Sequence, residues 1–221
     1  MTMRSKKNPW VPYVIPFAVF MLLTAPVKYV SSYAHFFYIA KTFIVGGLLL
    51  FWYREYIADI TLRLSFYEVL ISLLSGLLVL VIWVAPEKYL FQSGSHTGFN
   101  PYSFGWSPGA TAGLIAVRML GAAIVVPVME ELFWRSFILR YIINPDFRKV
   151  PLGTFTWGSF LIVIILFGFE HYRIVQGIAA GIIYTLLVIR QKNLMGPILA
   201  HGITNLGLGI YVLLTKGWAF W

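Results

Sequence analysis

Three short strings carry nearly all the residues that could do chemistry inside an otherwise apolar chain. The first is Glu130-Glu131-Leu132-Phe133-Trp134-Arg135, directly after the apolar run Gly121 to Met129. On a helix, Glu131 and Arg135 stand four apart on one face in the favourable acid-before-base order, which suits an ion pair that holds helices together. Glu130 lies about 100° away around the helix and has no partner three or four residues on. A carboxylate left unpaired in an apolar site is poised for proton transfer, because desolvation raises its affinity for protons.

The second string, Phe167-Gly168-Phe169-Glu170-His171, ends the apolar run Phe160 to Phe169. His171 suits a general base, and it equally suits an interfacial residue solvated beside Glu170, Tyr172 and Arg173. The third, His201-Gly202-Ile203-Thr204-Asn205, follows Gly196-Pro197 at the opening of a helix. His201 and Asn205 are four apart, so imidazole and amide project from one face and can aim two donors at a single oxygen. The same pair would also serve as an interhelical hydrogen bond.

Several chemistries are excluded. The chain has no cysteine, so no disulfide framework, thiolate metal site or cysteine nucleophile exists. Glu170-His171 lacks the second histidine of an H-E-x-x-H site. No G-x-S-x-G elbow, P-loop or dinucleotide fingerprint occurs in a suitable context. His35 and His96 read as boundary or loop residues. Lys41 and Arg118 are charges inside apolar spans with no local partner, free to snorkel or to meet a carboxylate across the bundle.

The elements that must position these strings are transmembrane helices. Of 221 residues, 59% are hydrophobic and 11% charged, a balance set by lipid rather than water. An ionisable group in hydrocarbon costs at least a few kcal/mol, so each one asks for an explanation. Apolar stretches of spanning length fall at about 10–28, 34–53, 66–85, 109–127, 153–170, 172–190 and 195–215, with a further amphipathic helix at about 128–143. Many of the Trp and Tyr residues near their ends fit an interfacial belt. The expected fold is all-α, a polytopic bundle of seven to eight helices in a single integral domain over 1–221, with 86–108 as an extramembrane loop. The basic start Arg4, Lys6, Lys7 resembles a signal peptide, but Pro12, Pro16 and Pro26 and the absence of a small-residue cleavage site favour a retained first helix.

The net charge of +9 does not imply nucleic acid, because the cations sit in clusters between apolar segments. Arg4, Lys6, Lys7, Arg54, Arg63, Arg140, Arg148, Lys149, Arg190 and Lys192 fall on one side of the membrane, against Lys28, Lys88, Arg173 and Lys216 on the other. Ten against four predicts a cytoplasmic N-terminus, provided that 109–143 crosses once in net.

In this order, E-E-x-x-x-R at Glu130 to Arg135, F-x-x-x-H at Phe167 to His171 and H-x-x-x-N at His201 to Asn205 resemble the three motifs of the CPBP family. That family comprises CAAX prenyl endopeptidases of the Rce type and bacteriocin-processing or abortive-infection relatives. The resemblance covers about 109–210 and extends to the CAAX-protease-related proteins found with bacterial exosortase systems. It implies about eight spans around an intramembrane cavity, which opens toward the cytosol in prenyl-protease members. It also implies an intramembrane endopeptidase in which Glu130 and His171 activate a water and His201 and Asn205 form an oxyanion hole. Glu131, Arg135 and Phe167 would support the site. No cofactor is implied; the expected partners are membrane lipid and a peptide with a membrane-proximal cleavage site, and the expected location is the bacterial inner membrane.

Two other readings remain open at this stage. Glu130, His171 and His201 could ligate Zn²⁺ with a fourth position for water, although Asn205, a poor zinc ligand and a good donor, favours metal-free hydrolysis. Alternatively, the polar cluster only locks a scaffold or immunity-type protein. A transporter lacks support, since no corresponding pair of broken helices appears in the two halves.

Overall fold

The computed structural model describes residues 8–28, 31–89 and 98–221; nothing is described of the side chains at 27, 28, 31 and 87–89. Arg4, Lys6, Lys7 and His96 lie outside the described residues, as do the side chains of Lys28 and Lys88. The described residues form helices and connections without a strand. The long helices are α1 (Val11–Thr24), α2 (Ala34–Phe51), α3 (Phe66–Tyr89), α4 (Pro108–Tyr141), α5 (Trp157–Phe169), α6 (Ile174–Gln191) and α7 (Met195–Thr215). Five have the length and apolarity to cross a membrane; α1 and α5 are shorter apolar helices. The protein is an integral, multi-pass helical membrane protein.

The expected break between 109–127 and 128–143 does not occur: α4 is one continuous helix of 34 residues, long and apolar enough for one crossing. Pro127 interrupts its hydrogen bonding without ending it. The helix widens into a π turn over Gly121–Val125, where the Val126 amide reaches back to the Gly121 carbonyl. In that register the Ala122 carbonyl would need the amide of residue 127, and proline has none. A second π turn covers Leu132–Ile138 and contains Arg135.

The other ends are set by local chemistry. The Thr156 hydroxyl caps α5 by accepting from the Ser159 amide at 3.2 Å. Lys192 and Lys216 end α6 and α7 in left-handed conformations, with φ of 52° and 58°.

Two faces of the bundle follow from contacts between connections. On one, Arg148 donates to the Pro9 carbonyl and to Glu55, Asn193 bonds the backbone of Thr61, and Lys192 donates to the Gly153 carbonyl. A buried network ties this face together: Asp59 Oδ2 accepts from Arg140 Nη2 at 2.7 Å and from Ser136. Arg140, counted above among loop charges, is therefore an interior ion-pair partner. On the other face the Phe99 amide donates to the Trp221 carbonyl, and Arg173 lies over the Phe220 ring. His35, expected at a boundary, occupies the first turn of α2 and is buried against Phe104 and Trp106.

Candidate active site

α4, α5 and α7 bring all three strings to one place, with α6 packed behind them. A cavity of about 200 Å³ is lined by Glu130, Phe167, His171, Tyr184, His201 and Asn205, among others. All four expected catalytic side chains therefore face one space. Close helix approach makes this possible: a Cβ on Gly202 would stand 2.8 Å from the Ala123 carbonyl of α4, and one on Gly177 would stand 3.0 Å from Gly168 Cα of α5.

Glu131 and Arg135 sit behind the cavity wall, both fully buried. Arg135 Nη1 donates to Glu131 Oε1 at 3.2 Å, and the guanidinium lies 4.1 Å from the Phe167 ring centroid. The same Glu131 oxygen stands 3.0 Å from His201 Nδ1. Because a carboxylate only accepts, His201 carries its proton on Nδ1 and turns Nε2 toward the cavity. The ring is held flat against Tyr184, with centroids 4.9 Å apart and planes within 20°. Tyr184 is fixed in turn by donating to Thr204, which donates to the Gly76 carbonyl of α3.

Glu130 faces away from that pair and into the cavity. Its Oε2 is buried with no hydrogen-bond partner among the described residues and lies 3.9 Å from His201 Nε2. His171 follows the last turn of α5, and its Nδ1 lies 2.7 Å from the Phe167 carbonyl. A carbonyl can only accept, so Nδ1 holds the proton and Nε2 keeps its lone pair. Asn205 Nδ2 donates to the Ala122 carbonyl at 2.8 Å, the acceptor that Pro127 leaves unsatisfied. The amide still has a second N–H, since Asn carries two.

The buried site thus contains an unbonded carboxylate oxygen, an imidazole acceptor, a second imidazole backed by a carboxylate, and an amide donor. Among the described residues, no three His, Asp or Glu side chains converge as a metal-holding group.

Residue-level reading missed three supports. Thr204 was visible as a hydroxyl inside the third string; Tyr184 had no local signal; and Glu170, noticed only as a neighbour of His171, accepts from the Trp134 indole at 2.8 Å. Among the described residues, no carboxylate pairs with Lys41 or Arg118. Lys41 donates to Thr24 and lies over Phe20, while Arg118 lies among Tyr38, Phe99 and Trp221.

Residues 112–207 match the profile of a family described as "Type II CAAX prenyl endopeptidase Rce1-like". That stretch contains every residue of the three strings. No curated protein and no solved structure matches the chain.

Proposed function

We propose that this chain, whose residues 112–207 match the Rce1-like profile, is a CAAX-type membrane protease that hydrolyses a peptide bond with a water activated by Glu130. The observation that carries this reading is the buried, unbonded Glu130 Oε2 facing the same cavity as the lone pair of His171.

In the proposed reaction, water lies between Glu130 and His171 Nε2, and its oxygen attacks the peptide carbonyl carbon as Glu130 takes the proton. The carbonyl oxygen becomes an oxyanion, met by the free N–H of Asn205 and by His201. His201 donates from Nε2 when both ring nitrogens carry protons, with Nδ1 held by the Glu131 carboxylate. The tetrahedral intermediate then collapses as Glu130 returns its proton to the leaving amine nitrogen. Arg135 holds the Glu131 carboxylate in place. Each oxyanion donor contributes about 2.7–4 kcal/mol to the transition state.

The orientation bears on the substrate. Among the described side chains, the face holding Pro9, 53–65, 142–156 and 191–194 carries Arg54, Arg63, Arg148, Lys149, Arg190 and Lys192, against Arg173 and Lys216 on the other, six against two. The charge rule puts this face in the cytoplasm. The cavity is on the opposite side, near Trp83, Phe220 and Trp221. We therefore assign its mouth to the non-cytoplasmic side, contrary to what the resemblance to prenyl proteases implies, and the substrate to membrane peptides exposed there.

Purified protein should cleave members of a membrane-peptide library, detected by mass spectrometry, with and without chelator. Cleavage that resists chelation and disappears in Glu130→Gln is expected. Chelator-sensitive cleavage would replace this mechanism with a zinc one, using Glu130, His171 and His201.

A further inference from the structure

His171 stands in the turn after α5, where its amide closes onto the Gly168 carbonyl at 3.1 Å. Its ring is fixed locally by the Nδ1 contact to the Phe167 carbonyl at 2.7 Å and rests edge-on against Trp83 of α3, with centroids 5.3 Å apart. The bond to Phe167 moves with α5 and leaves open where the ring stands relative to Glu130, which belongs to α4. That relation is set one residue earlier. Glu170, the residue that ends α5, accepts from Trp134 Nε1 at 2.8 Å. Trp134 follows Glu130 by four residues on α4, about 6 Å along the axis at 1.5 Å per residue. The hydrogen bond therefore joins the same two elements as the water gap between Glu130 and His171, about one turn away from it. The carboxylate is an unusual choice here. It faces the negative end of the α5 dipole and is close enough to Glu130 and Glu131 to repel both. Trp134 stands in the π turn Leu132–Ile138, a widening found mostly at functional sites. Residues that oppose local rules in this way are expected where function requires them.

Resting on the protease reading, we propose that Glu170 is a positioning residue: the bond it accepts from Trp134 fastens the turn bearing His171 to α4 and so sets the width of the water gap between His171 and Glu130. An indole only donates, and a carboxylate acceptor makes the bond charge-assisted, short and directional. Glu170 is not among the residues lining the cavity and acts through His171. Without the bond, α5 keeps its helix and His171 keeps Phe167, but the turn can move away from α4. A misplacement of about 1 Å at the reacting groups costs about 10²-fold in rate.

Cleavage of a library peptide is compared across full-length variants of matched thermal stability in detergent. Glu170→Ala and Trp134→Phe are each expected to lower kcat about 10²-fold with KM nearly unchanged, and the double variant to lose no more than either alone, because both remove one bond. Glu170→Gln keeps an acceptor for the indole, should retain most of the rate, and guards against misfolding of the Ala variant. In a His171→Ala background, adding Glu170→Ala should cost nothing further. A wild-type rate in Glu170→Ala, a Gln variant as slow as the Ala variant, or an effect that persists in full without His171 overturns the proposal. A second readout needs no turnover. Burial pushes the His171 imidazole down to about 4, and NMR follows its titration, with the signal assigned by its loss in His171→Ala. Glu170→Ala should raise that value toward the ordinary histidine range as the turn moves toward water, whereas losing a nearby anion would by itself lower it. Glu170→Gln should leave it in place. An unchanged or lowered value in Glu170→Ala also overturns the proposal. If the wild type cleaves no peptide, the protease reading falls, and the titration by itself decides for or against the tether.

Discussion

Glu130→Gln separates chemistry from architecture. The change is nearly isosteric and removes a proton acceptor whose Oε2 has no hydrogen-bond partner among the described residues, so its stability effect should be small beside that of breaking a buried ion pair. Its catalytic effect should be large, because losing a positioned general base costs about 10²- to 10⁴-fold in kcat. The control is Arg135→Leu, five residues along the same helix. There Glu131 loses a buried partner at 3.2 Å and keeps only His201 at 3.0 Å. Leaving one charge of a buried pair uncompensated costs about 3–5 kcal/mol, and the guanidinium's packing on Phe167 is lost as well. Thermal unfolding in detergent and single-turnover cleavage, measured on both variants, give the comparison. The expected pattern is a folded, inactive Gln variant and a destabilised Leu variant. A Glu130→Gln protein that cleaves at the wild-type rate, or that unfolds as readily as Arg135→Leu, would refute the division of labour between the two adjacent carboxylates.

Asn205→Ala is expected to lower kcat by about 10²- to 10³-fold with little change in KM, and to cost about 1 kcal/mol of stability through the lost bond to Ala122; steady-state kinetics and unfolding check both. Gly202→Ala puts a methyl 2.8 Å from the Ala123 carbonyl, so α7 must back away from α4, at about 1–3 kcal/mol and with loss of cleavage; wild-type stability and activity would show that the two helices are not in contact there. Because the chain has no cysteine, Ser103→Cys and Lys149→Cys report orientation cleanly. Whole cells treated with a membrane-impermeant maleimide should label the Ser103→Cys variant and spare the Lys149→Cys variant, and the reverse pattern would invert the proposed topology.

What could be read from the chain alone was whatever depends on near neighbours. Hydropathy located the long helices other than α4 to within a few residues because desolvation acts on each segment by itself. Helical spacing paired Glu131 with Arg135 and put His201 and Asn205 on one face, since i,i+4 geometry is a property of one helix. The strings also carried the family resemblance. What needed tertiary structure were relations across helices. Glu131 serves both Arg135 and His201, and it thereby sets the tautomer of a ring 70 residues away. Pro127 was visible as an irregularity, yet only packing against α7 makes its orphaned Ala122 carbonyl the anchor for Asn205. Arg140 looked like a loop cation until Asp59 was brought beside it. Local pattern determines which segments enter the membrane and which side chains share a helical face; the register between helices determines which faces meet, and that register emerges only when small residues, ring contacts and orphaned polar groups are satisfied together.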